Sequence, residues 1–123
     1  MGSSSRRRLS SSADFDHVFR RGVSASNRYL VLHFFERPES SEQRLGLSVS
    51  RKVGGAVVRN RVKRLLREAF RGNEAELQSH GDYVVVARPD LAGLAEQEGL
   101  EGVSGALLPL LLQLKPSEEK ASK

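Results

Sequence analysis

Ala56-Val57-Val58-Arg59-Asn60-Arg61-Val62-Lys63-Arg64-Leu65-Leu66-Arg67-Glu68-Ala69-Phe70-Arg71 is the stretch on which the fold of this chain turns. At 100° per residue, Val58, Val62, Leu65, Leu66, Ala69 and Phe70 fall at i, i+4, i+7, i+8, i+11 and i+12, within a single stripe. The spacing predicts a helix over 57–71 whose apolar stripe packs on a sheet. Its other side is then set: Asn60, Lys63, Arg64, Arg67 and Arg71 face solvent, flanked by Arg59 and Arg61. A solvent face ordinarily mixes signs to gain i,i+4 pairs, whereas this one offers a single acid, Glu68. Like charges stacked along the ridge Asn60–Arg64–Arg67–Arg71 repel unless an anion separates them. Arginine forks meet phosphate oxygens bidentately and stack on bases, so a polyphosphate is the expected partner.

Upstream, Arg44 to Ser50 alternates cleanly, with Leu45, Leu47 and Val49 on one face and Arg44, Gly46, Ser48 and Ser50 on the other; this is a half-buried strand. Arg51-Lys52 ends it, and Gly54-Gly55 turn the backbone into the helix, whose outward first-turn amides are a second possible anion seat. Residues 29–35 form an apolar, β-rich run, followed at 37–42 by a hairpin-like connection. A short helix is expected from Ala13 to about Arg21, capped by Ser12 and ended by Gly22, with Phe15, Val18 and Phe19 on one face. Downstream, Gly72-Asn73 stops the basic helix. Tyr83-Val84-Val85-Val86-Ala87 is a continuous apolar run that suits a strand covered on both sides, closed by Pro89. Over 100–114, Val103, Leu107, Leu110, Leu111 and Leu114 keep helical spacing. A proline in a helix interior costs about 3 kcal/mol, so this helix is expected to begin near Pro109 or to kink there. Strands on both sides of a basic helix give a two-layer α/β sandwich.

The 123 residues make one domain over 9–114, with flexible tails at 1–8 and 115–123. With 38% hydrophobic residues, seven aromatics and no Trp, the core is mostly Leu and Val. The absence of Cys excludes a disulfide framework, a thiolate zinc site and a cysteine nucleophile, and points to the cytoplasm. No run approaches the 18 to 20 apolar residues of a membrane span, the start lacks the apolar stretch of a secretory signal, and Arg6 breaks the myristoylation pattern. The net charge of +5 is unevenly placed: +3 over residues 1–50, +7 over 51–71 and −5 over 72–123. A block of that sign and density is the electrostatic footprint of nucleic-acid binding. His17, His33 and His80 are scattered, Asp14 and Asp16 point to different helix faces, and no nucleophile, acid/base or metal-ligand pattern is present; no catalytic residue and no metal site are assigned.

The stretch Arg44-Leu45-Gly46-Leu47-Ser48-Val49-Ser50-Arg51-Lys52-Val53-Gly54, with Arg59-Asn60-Arg61, then Lys63-Arg64, on the helix behind it, resembles the protein subunit of bacterial ribonuclease P. Weaker similarity covers most of the chain, through Arg8 to Phe19, Asn27-Arg28 and Asp82 to Arg88; the tails and residues 90–123 match poorly. The resemblance implies an α+β fold: a two-layer sandwich with a small mixed sheet and a left-handed β-α-β crossover, of the ribosomal-protein-like domain 2 type. It implies an accessory subunit of an endoribonuclease whose large RNA subunit, with its Mg2+, removes the 5′ leader of precursor tRNA. The protein itself would bind no cofactor, contact no membrane and need no obligate protein partner. Carried over by position, Arg51, Lys52, Arg59, Asn60, Arg61, Lys63, Arg64, Arg67 and Arg71 would contact the catalytic RNA. Phe15, Phe19, Arg28, His33, Ser48 and Ser50 would line a leader-binding cleft between the sheet and the first helix, where unpaired bases stack on aromatic faces. His33 stands where a third aromatic is common in the family, and Pro109 departs from its usual C-terminal helix.

Taken without the resemblance, Phe15 and Phe19 read as core residues. Three other functions fit parts of the pattern. A ribosomal or other structured-RNA-binding protein would share the sandwich. A DNA-binding protein would place helix 57–71 in a major groove, but the partner helix of a helix-turn-helix is missing. An interfacial membrane helix would need the apolar stripe that the sheet already claims.

Overall fold

The computed structural model describes residues 7–9, 11–37, 39, 42–77 and 80–115. Strands β1 (Arg7–Arg8), β2 (Val23–Ser26), β3 (Leu30–Glu36), β4 (Gln43–Ser48) and β5 (Gly81–Ala87) form one mixed sheet in the order β1-β4-β5-β3-β2. Helices α1 (Ser12–Arg21), α2 (Ala56–Gly72) and α3 (Asp90–Leu114) complete the fold. The all-apolar β5 takes the centre, parallel to β4 and antiparallel to β3, and α2 carries the chain across from β4 to β5.

Alternation divides the sheet between two cores. Leu30, Leu32, Phe34, Leu45, Tyr83 and Val85 face α2 and α3, where they meet Val62, Leu66, Phe70, Leu107 and Leu111. On the other side Val84 packs with Leu9 and Val18, with Phe15, Phe35 and Val86 around them. The sandwich is therefore the sheet against α2 and α3, with the short α1 laid across part of the opposite face. No helix among the described residues is long and apolar enough to cross a membrane.

The structure corrects several expectations. The connection over 37–42 does not form a hairpin, because β5 inserts between β3 and β4; a strand apolar on both faces is best covered with a neighbour on each side. Arg7 and Arg8, assigned to a tail, pair with Arg44 and Leu45 and cover the open edge of β4. Lys115, assigned to the other tail, donates to Glu76 at 2.8 Å; the remaining tail residues, 1–6 and 116–123, lie outside the described residues. The cap of α1 is Ser11, whose Oγ accepts from the Asp14 N–H at 3.1 Å, one residue before the expected Ser12. Strand β2 was not expected: Val-Ser-Ala-Ser has no sustained alternation, and as an edge strand it buries only Ala25. In α3 the break is at Gly99 (φ 60°, ψ −142°), not at Pro109, which sits on the exposed side of the second half. Only glycine takes that backbone conformation without strain.

A buried ion pair fixes the middle of the sheet. Asp82 is 2% exposed and lies opposite Arg44 in the β4–β5 register. The Arg44 guanidinium donates from Nε and Nη2 to its two carboxylate oxygens, both at 2.8 Å, and Arg37 approaches at 3.5 Å. Arg44 also reaches Asp14 of α1 at 3.5 Å, so one guanidinium joins two strands and a helix. The bond to Asp82 raises the Arg44 pKa further above its ordinary value, against the opposing effect of burial.

Removing one partner of a fully buried pair costs about 3–5 kcal/mol; here Arg44 is 22% exposed and, without Asp82, keeps Asp14 at 3.5 Å, so the loss falls below that range. Asp82→Ala is expected to lower stability by about 1–3 kcal/mol in urea denaturation. An unchanged midpoint and slope would show that the pair does not hold β4, β5 and α1 together.

Candidate nucleic-acid interface

Helix α2 forms as its periodicity requires. Val62, Leu65, Leu66, Ala69 and Phe70 are buried, and Asn73 ends the helix by donating to the Ala69 carbonyl at 2.8 Å and to Ser104 Oγ on α3 at 2.9 Å. Its amphipathic stripe thus aims the basic residues away from the core. Asn60, Arg61, Arg64 and Arg71 are exposed, whereas Arg59, Lys63 and Arg67 are half-buried. Arg59 donates from Nε to the Gly54 carbonyl at 3.1 Å and braces the turn before the helix. Arg51 and Lys52 are exposed in that turn, whose backbone closes through bonds from Val53 to Ser50 and from Gly54 to Arg51. No carboxylate lies within ion-pair distance of Arg51, Lys52, Arg61, Lys63, Arg64, Arg67 or Arg71 among the described residues. Acidic side chains are instead paired elsewhere: Asp16 with Arg20, Asp90 with Arg28, and Asp82 with Arg44.

The second surface lies on the other face of the sheet, beside α1. Phe15 and Phe19, one turn apart, meet edge to face with ring centroids 6.2 Å apart, and Phe19 meets His33 of β3 at 4.7 Å. Three of the residues assigned to a cleft are thereby brought into one aromatic row. Phe19 remains 42% exposed, so its ring is available to a ligand as well as to its neighbours. Gly46 makes the row possible: a Cβ there would come within 2.7 Å of the Phe15 ring. Ser48 sits two residues further along the same face of β4, opposite Val86.

Two assigned residues lie apart from the row. Arg28 is held at the end of the sheet by Asp90, with contacts of 3.1 and 3.3 Å, and covers the Tyr29 ring at 5.4 Å. Ser50 is beyond the end of β4, where its Oγ accepts from the Lys52 N–H at 3.3 Å. His17 and Phe35, which the sequence reading did not select, form a second edge-to-face pair at 4.6 Å. The strand alternation carried that signal, since Phe35 is two residues from His33 and shares its face. Arg8, assigned to a tail, and Leu9, assigned to the domain but to no site, line a groove with Phe15, Leu45, Leu47, Lys63 and Arg67.

Fold and surfaces together define a small α+β domain with a cationic helix face on one side of the sheet and an aromatic row on the other. The sequence model of the ribonuclease P family matches residues 4–109. The ribonuclease P protein component of Bacillus velezensis is 47% identical over 93 residues, covering 76% of this chain and 79% of that protein. That of Listeria innocua is 37% identical over 114 residues, 92% of this chain and 96% of that one. Among solved structures, the RNase P protein from Thermotoga maritima superposes with a TM-score of 0.78 at 36% identity, over 90% of this chain and all of that one. The Staphylococcus aureus RNase P protein does so with 0.75 at 31% identity, over 89% and 97%. The chain belongs to the ribonuclease P protein family.

Burial beneath α1 pushes the His33 pKa below the ordinary imidazole value of about 6.5, so the ring is neutral at pH 7 and meets Phe19 uncharged. The unfolded chain takes up this proton first, so between the two pKa values it binds more protons and stability rises with pH. This contribution is full above pH ~6.5 and is lost as pH falls through that window. An NMR titration is expected to place the His33 midpoint on the acid side of the ordinary value. A midpoint above it would mean that an anionic group, not burial, dominates the site.

Proposed function

We propose that this chain is the accessory protein subunit of ribonuclease P. It binds the catalytic RNA through α2 and holds the 5′ leader of precursor tRNA in the cleft beside α1. Support comes from family membership together with one physical observation: the exposed ridge of Asn60, Arg61, Arg64 and Arg71 carries no ion pair with the chain's own acids among the described residues. An RNA that neutralises these cations releases its condensed counterions, so affinity falls steeply with salt. Arg51 and Lys52 extend the cationic surface past the start of α2; Arg59, Lys63 and Arg67 lie along its inner edge.

In the cleft the work is different. Single-stranded RNA exposes base faces, and Phe15, Phe19 and His33 offer stacking surfaces that do not depend on base identity. A leader of any sequence can then be held. Arg28, Ser48 and Ser50 would contribute polar contacts further along the sheet. Bond cleavage belongs to the RNA subunit and its Mg2+ in this assignment, and the protein's part is to position the two RNAs and lessen their mutual repulsion.

Reconstitution tests the assignment directly. At low magnesium, adding the chain to a purified bacterial ribonuclease P RNA is expected to restore cleavage of precursor tRNA; no gain at any protein concentration would refute it. Arg64→Ala is expected to weaken association with the catalytic RNA by roughly 1–3 kcal/mol and to lower the salt slope by about one. Wild-type binding at several salt concentrations would remove the ridge from the interface. Phe19→Ala is expected to reduce affinity for leader-bearing precursor tRNA more than for mature tRNA, and equal losses would return Phe19 to a packing role.

A further inference from the structure

The cations of α2 do not form one surface. Arg59, Lys63 and Arg67 recur at i, i+4 and i+8 and are half-buried, while Asn60, Arg61, Arg64 and Arg71 are exposed. Lys63 and Arg67 open into a groove of about 250 Å3 that they share with Arg8 of β1, Phe15 of α1, and Leu45 and Leu47 of β4. Three cations from two elements converge there, with no carboxylate among the groove's lining residues. Arg67 feels this: burial first, and the charge of Arg8 second, lower its pKa. Leu45, Leu47 and Phe15 form an apolar wall beside these charges, which are half-buried at Lys63 and Arg67 and so screened less than those on the outer ridge.

The volume limits what can enter. Sites for whole small molecules occupy about 300–1,000 Å3, so this groove suits one compact anionic group. Its location indicates which. Phe15 forms a wall of the groove and also a wall of the aromatic pocket with Ser12, Asp16 and Phe19. A strand whose bases stack on Phe19 and Phe15 therefore carries its backbone past the three cations at the same step.

We infer that Arg8, Lys63 and Arg67 form a phosphodiester seat for the single strand held in the cleft, distinct from the ridge that meets the catalytic RNA. The inference rests on the function proposed above and divides the basic residues of α2 between two RNAs. The outer ridge grips a folded RNA. The inner pair, with Arg8, holds one backbone phosphate of an unpaired strand against Phe15. Arg8 belongs to this seat because β1 pairs with the edge of β4; the same residue in a loose tail would contribute no defined geometry.

The test uses the full chain and two ligands: the purified catalytic RNA and a short single-stranded oligoribonucleotide of leader length. Arg67→Gln is expected to lower oligonucleotide affinity about tenfold more than it lowers catalytic-RNA affinity, and Arg64→Gln is expected to show the reverse order. Oligonucleotides carrying one neutral methylphosphonate linkage, scanned along the strand, supply a second readout. One position is expected to weaken wild-type binding and to have no further effect in Arg67→Gln, because the phosphate and the guanidinium are each other's partners. Equal ratios for the two variants, or a methylphosphonate penalty that persists undiminished in Arg67→Gln, would overturn the seat. Failure of the wild-type chain to bind the catalytic RNA would instead refute the underlying function, so the two failures are distinguishable.

Discussion

Burial of one stripe of α2 decides where every charge on that helix goes. Val62, Leu66 and Phe70 are fully enclosed between the sheet and α3, and each such side chain contributes about 1.5–3 kcal/mol. Repulsion between like charges at i,i+4 costs only about 0.2–0.5 kcal/mol per pair. The core therefore wins, and the helix is held in an orientation that its own charges would not choose. Among the described residues none of the chain's ion pairs reaches the ridge: Asp82 pairs with Arg44, Asp90 with Arg28 and Asp16 with Arg20. A polyanion is the natural complement of such a surface.

The aromatic cleft depends on a different set of contacts. Val18 anchors α1 on Val84, and Gly46 lets the Phe15 ring lie against β4. Arg44 links Asp82 in the sheet to Asp14 on the helix. The Arg44 guanidinium thus belongs to the architecture although it is basic and lies near the basic helix in sequence. Charge alone does not make a residue part of an RNA surface; what matters is whether the chain already supplies its partner.

Much of this was legible in the chain before its structure. The stripe in α2, the all-apolar β5 and the short α1 are patterns of period 3.6 or 2 that local sequence carries. The strand order was not legible, because placing β5 between β3 and β4 is a long-range choice that the 37–42 connection does not encode. Strand β2 escaped because two of its four residues are serine and it sits at an edge, where little burial imprints the sequence. Pro109 was visible as a helix breaker, whereas Gly99, just before the 100–114 stretch, bends α3 instead, and only packing decides between them. Phe15, Phe19 and His33 are in ring contact, while Arg28 went to Asp90, a partner 62 residues away. The split among the cations of α2 needed coordinates, since the ridge read from the sequence placed Arg67 with Arg64, and burial groups it with Lys63.

Two surfaces facing two RNAs is the claim on which the rest stands, and site-specific cross-linking tests it most directly. The chain has no cysteine, so Arg61→Cys and Ser12→Cys each give a single attachment point for a photo-cross-linker, one on the outer ridge and one at the rim of the aromatic pocket. In the assembled complex, the probe at position 61 is expected to mark the catalytic RNA and the probe at position 12 the nucleotides upstream of the cleavage site in precursor tRNA. Marking of the same RNA from both positions would contradict the account.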